Sequence, residues 1–131
     1  VDTFLGVRHG PQVFINDSCL VCATISANER VWPYERDLLR ELRDKEQGRA
    51  IIGLSACSDG ETNGLCDQVV RIGGRQNHND QPIGDDYLFL PSLVACQLLA
   101  FATAVKNGLK PDSPAETGII NRVVQGVRIY D

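Results

Sequence analysis

The chain alternates short apolar runs with longer amphipathic stretches, and the two periods predict strands and helices in turn. Cys19 to Ile25 and Ala50 to Ala56 are apolar on both faces, the pattern of strands inside a parallel sheet that has helices over both sides. Between them, from Pro33 to Gln47, Tyr34, Leu38, Leu39 and Leu42 form one apolar stripe. Arg36, Asp37, Arg40, Glu41, Asp44 and Lys45 fall elsewhere on the helical wheel, with Arg40/Asp44 and Glu41/Lys45 at i,i+4 spacing, so this charged side reads as a solvated face. Gly48 is placed to close that helix. Gln68 to Ile72 predicts a short third strand. Ser26, Asn28 and Glu29 make a polar loop at the carboxyl end of the first strand, the edge where open α/β sheets bind ligands.

The remaining segments are turn-rich or uniformly apolar. Cys57 to Gly64 holds Gly, Ser and Thr as a phosphate cradle would, but Asp59 and Glu61 oppose a dianion, and the octet reads as a connecting loop. A long polar loop is expected from Gly73 to Asp86, with His78 facing solvent. Asp85 or Asp86 then caps a helix that has Pro91 near its first turn and runs to Asn107 and Gly108. Leu93, Val94, Leu98, Leu99, Phe101, Ala102 and Val105 cover most of its circumference, which predicts burial on more than one side, against the sheet and against a partner domain or subunit. Pro91, Ser92, Gln97 and Thr103 interrupt the apolar stretch, so it reads as a core helix and not as a membrane span. After a turn-rich stretch from Leu109 to Gly118, apolar character returns with Val123, Val124, Val127 and Ile129. Residues 1–108 are therefore expected to form one partial domain, and 109–131 an extended tail that docks on another domain or subunit.

Composition narrows the class. At 131 residues, 43% apolar and 23% charged, the chain is one domain of ordinary globular make-up. A net charge of -4 with scattered arginines excludes the basic footprint of a nucleic-acid binder. Of five cysteines, Cys19, Cys22, Cys57 and Cys96 lie in or beside apolar runs, so they are expected to be small core residues. Cys19 and Cys22 have the spacing of a metal pair, yet within a strand that offset puts them on opposite faces, and no metal or cofactor is expected. With no charged-then-apolar leader, the expected compartment is the cytoplasm. The abrupt start and the absence of methionine suggest part of a longer product.

The candidate chemistry sits at Gly6-Val7-Arg8-His9-Gly10-Pro11. Pro11 suits the first turn of a short helix reaching Ile15, and Gly10 gives a permissive backbone before it. His9 then stands at a helix N-terminus, where free amides could hold an anion beside an imidazole that titrates near neutrality, with Arg8 next door.

Three stretches carry a resemblance: Gly6 to Pro11, Asp37 to Arg43, and Pro111 to Pro114 continued by Thr117 to Val127. Together they resemble the C-terminal part of the second sugar-isomerase (SIS) domain of the tagatose-6-phosphate ketose/aldose isomerase family, whose relatives include galactosamine-6-phosphate deaminases. The resemblance implies an α/β three-layer sandwich with a parallel sheet, flavodoxin-like and incomplete at its N-terminal side, in a homo-oligomer. More distantly, through His9-Gly10-Pro11, the chain is similar to the isomerase half of glucosamine-6-phosphate synthase, where that histidine reaches the neighbouring subunit's site and helps open the sugar ring; this implies a catalytic role for His9, with Arg8 and Gly10 as candidate substrate-binding residues beside it. The glutamate base, the phosphate loop and a missing first SIS domain would come from elsewhere. Near Gln125 the glucosamine-6-phosphate synthase branch carries a lysine, so an amine-dependent role there has no counterpart. Two functions follow: a phosphosugar isomerase, deaminating on a hexosamine 6-phosphate, or a non-catalytic phosphosugar-binding SIS module.

Overall fold

The computed structural model describes residues 3–56, 60–72 and 83–112, together with a few positions beyond them. The chain divides into two compact units, Val1–Leu93 and Val94–Asp131. In the first, strands β1 (Leu20–Ile25), β2 (Ala50–Ser55) and β3 (Gln68–Arg71) pair in parallel in the order β1-β2-β3. Cys22 stands opposite Ile52, and Leu54 opposite Val70. Helices α1 (Phe4–Val7), α2 (Trp32–Asp44), α3 (Gly60–Leu65) and α4 (Asp85–Lys106) complete the architecture, with a 3-10 turn at Pro11–Phe14. This is the α/β, parallel-sheet class that the apolar runs predict.

The core lies on one face of the sheet. Leu38, Leu39 and Leu42 of α2 pack against Ala23 and Ile25 of β1, Ile51 of β2 and Cys66, with Phe4, Val7, Ile15 and Val69 at the margin. The opposite face is covered only in part: Leu54 is buried, whereas Leu20 and Val70 keep 47% and 40% of their surface and Cys22 is exposed. The cysteines are not uniformly core residues: Cys66 is buried, Cys19 and Cys96 are half-buried, and Cys57 falls outside the described residues.

Helix α2 stops at Asp44, three residues before the sequence pattern ends, and Gly48 is not its cap. The amide of Gln47 donates to the Leu42 carbonyl and that of Glu46 to Arg43, the paired bonds of a Schellman motif. That motif needs a left-handed residue, and it falls on Glu46, at φ 53. Gly48, at φ 85, takes the next bend, where a Cβ would meet Val21 Cγ2 at 3.0 Å. Left-handed backbone strains any side chain with a Cβ, so Glu46→Gly is expected to stabilise the protein by about 0.5–1 kcal/mol. A higher urea midpoint would show it; a lower one would overturn the assignment of strain.

Further expectations change. Gly60 to Leu65 is helical and not a loop, because Thr62 is buried and Glu61 accepts ion pairs from Arg36 (2.9 Å) and Arg40 (2.8 Å) on α2. Cys57 to Asp59, the first three residues of the octet, lie outside the described residues. Arg40 pairs also with Asp37, at 3.0 Å, and not with Asp44, whereas Glu41 and Lys45 meet at 2.6 Å as their spacing predicts. Within the first unit helix α4 buries Leu88 and Ser92, while Tyr87, Phe89, Leu90 and Leu93 are exposed in this chain by itself. Among the described residues it is also one helix long and apolar enough to cross a membrane by length and composition. His78 and most of the 109–131 tail, Gln125 included, lie outside the described residues.

Candidate active-site turn and a polar cluster at the strand edge

His9 lies between α1 and the 3-10 turn. The Thr3 hydroxyl caps α1 by accepting from the Gly6 amide at 2.9 Å, and the His9 amide closes the following turn on the Gly6 carbonyl at 3.0 Å. Gly10 then swings to φ 153, a conformation suited to glycine, and Pro11 opens the 3-10 turn. Four residues of 3-10 helix align too few peptide dipoles to make a strong anion site. The expected helix N-terminus is present in form only.

His9 is exposed, and its imidazole makes no hydrogen bond to any described residue. Its neighbours are held firmly. Arg8 Nε pairs with Glu41 Oε2 at 3.0 Å. Gln12 Nε2 donates to Glu41 Oε1 and to Gln47 Oε1, both at 2.9 Å, and the Gln12 carbonyl accepts from Gln47 Nε2 at 3.3 Å. Hydrogen bonds from Lys45 and Gln12, with the charges of Lys45 and Arg8, hold the Glu41 carboxyl down at about 2. The carboxylate is therefore charged throughout the physiological range. Arg8 thus serves first as an anchor, while Gly10 leaves open space: nothing lies within 4 Å of where its Cβ would stand.

A second polar cluster occupies the carboxyl end of β1. Glu35, only 5% exposed, accepts the Ser26 amide with both oxygens, at 3.1 and 3.3 Å. Asp85, at the start of α4, accepts from the Ser26 hydroxyl at 2.5 Å and from the Ala27 amide at 2.7 Å. The Trp32 indole donates to the Ser26 carbonyl at 2.6 Å, and Arg36 stacks on that ring at 5.0 Å. Burial raises the Glu35 carboxyl to about 7; the Asp85 charge adds to this, while the Ser26 amide and Arg36 oppose it. The strand edge expected to bind a ligand thus has its Ser26 groups spent on two carboxylates. Asp85 reaches across to this loop, and the first turn of α4 closes instead on the Gly84 carbonyl.

Sequence reasoning missed Glu35 because it weighed residue type over phase. Positions 35, 38, 39 and 42 share one helical face, so Glu35 belongs to the buried stripe, whereas Tyr34 is 61% exposed. No group of three or more His, Cys, Asp and Glu side chains among the described residues could hold a metal.

No family model matches the chain. A D-galactosamine-6-phosphate deaminase of Shewanella sp. is 31% identical over 126 residues, 96% of this chain and 28% of the relative. One from Escherichia coli is 30% identical over 129 residues, 98% of this chain and 32% of the relative. A structure from Clostridium novyi, named as a tagatose-6-phosphate ketose/aldose isomerase, superimposes with a TM-score of 0.77 at 33% identity, covering 99% of this chain and 32% of its own. Over nearly its whole length the chain is similar to these deaminases and to this isomerase. It spans about a third of the length of the curated family members it matches. An Escherichia coli tagatose-6-phosphate ketose/aldose isomerase, at 24% identity and a TM-score of 0.64 over 84% of this chain and 28% of its own, shares the fold.

Proposed function

We propose that the whole protein is a phosphosugar isomerase, releasing ammonia where its substrate is a hexosamine 6-phosphate, and that this chain supplies the second-domain part of the site. The observation that carries the reading is the exposed His9 imidazole on a turn fixed from both sides, in a chain matched almost end to end by phosphosugar deaminases and an isomerase. Opening a cyclic sugar moves the anomeric hydroxyl proton to a base, breaks the bond from C1 to the ring oxygen and returns a proton to that oxygen. An imidazole can take the first proton and give the second. Isomerisation then carries a proton from C2 to C1, or back, on a carboxylate base that lies outside these residues. On a 2-amino sugar this shift leaves an imine at C2, which water hydrolyses to the ketose and ammonia.

Arg8 and Gly10 complete the proposal as anchor and open approach. Val13 and Phe14, 77% and 78% exposed beside the turn, form apolar surface of the kind that another domain or subunit covers. A homo-oligomer in the cytoplasm, without a cofactor, fits this reading. In the full-length protein, His9→Asn is expected to lower turnover of tagatose 6-phosphate, or ammonia release from galactosamine 6-phosphate, by about a hundredfold. Undiminished turnover would remove His9 from the mechanism.

A further inference from the structure

We infer that Glu41, on helix α2, is a positioning residue for His9: one carboxylate ties down the chain on both sides of the imidazole. This rests on the role proposed above for His9. Arg8 immediately precedes His9 and Gln12 follows three residues later; both end on Glu41, at 3.0 and 2.9 Å. Lys45 holds the same carboxylate from its own helix at 2.6 Å, and Gln47 secures Gln12 from the other side. The imidazole has no described partner of its own, so its position is set by the backbone that these bonds restrain. A reaction that needs an imidazole within hydrogen-bond reach of a ring oxygen is sensitive to displacements of an ångström. Glu41 touches neither substrate nor the reacting atoms; its effect passes through His9.

A double-mutant cycle in the full-length protein separates this role from a merely structural one. Steady-state turnover of tagatose 6-phosphate or galactosamine 6-phosphate is measured for the native protein, Glu41→Gln, His9→Asn and the double variant. Glu41→Gln is expected to lower kcat about tenfold with little change in KM, and to cost nothing further in the His9→Asn background. A tenfold loss that persists in that background overturns the inference, because Glu41 then acts by another route. Full activity in Glu41→Gln, where His9→Asn is impaired, overturns it while leaving the role of His9 standing. Should His9→Asn itself be fully active, the proposed function falls, and the positioning role with it. Gln12→Ala, which removes one strut and leaves every ion pair in place, is expected to show the same dependence on His9 in a smaller degree. It provides the same cycle if Glu41→Gln does not fold.

Discussion

Glu35→Gln is expected to gain about 3 kcal/mol of stability relative to the native protein between about pH 4 and about pH 8. In the unfolded chain Glu35 ionises near its ordinary value of 4.5, whereas in the fold burial holds it to about 7. Between those values the folded state binds the extra proton, so raising the pH favours unfolding. The favourable contribution is complete below 4.5 and is lost as pH rises to about 7. Glutamine does not titrate, can still accept the Ser26 amide, and removes the repulsion with Asp85. Other titrating groups are common to both proteins and cancel in the difference. Urea denaturation of the pair at several pH values measures it, and a gap that stays constant with pH would show that Glu35 is not held neutral by the fold.

Truncating Leu39 is expected to cost about 3–4 kcal/mol. This side chain is 1% exposed and lies in the cluster with Ala23, Ile25, Leu42 and Ile51, where α2 meets the sheet. Leu39→Ala removes its transfer free energy and leaves a cavity that a parallel sheet and a straight helix can close only in part. Tyr34→Ala, at a site 61% exposed, is expected to cost under about 0.5 kcal/mol. Equal urea midpoints for these two variants would mean that α2 does not seat as described.

Strands β1 and β2 were legible because they are short, apolar on both faces and separated by a helical period; each begins or ends within one residue of the pattern. Helix ends were less so. Gly48 looked like the cap of α2, but the hydrogen bonds of the last turn put the left-handed residue at Glu46, and nothing about a glutamate announces that conformation. Helix α3 was hidden by glycine, threonine and asparagine, turn residues overruled here by the burial of Thr62 and the ion pairs of Glu61. The Arg8-His9-Gly10-Pro11 turn could be read from proline and glycine chemistry alone. The Glu41 clamp could not, since its bonds join residues about thirty positions apart, with Gln12 and Glu41 separated by 29 in sequence.

The uneven cover of the sheet has an energetic meaning. Leu20 and Val70 leave close to half of their area in water, and Phe89, Leu90 and Leu93 on α4 do likewise. Each such side chain forgoes on the order of 1 kcal/mol of transfer free energy that full shielding would return. By itself the polypeptide therefore has a ceiling on its thermal endurance, set less by the packing it has achieved than by the oily area it still shows to solvent.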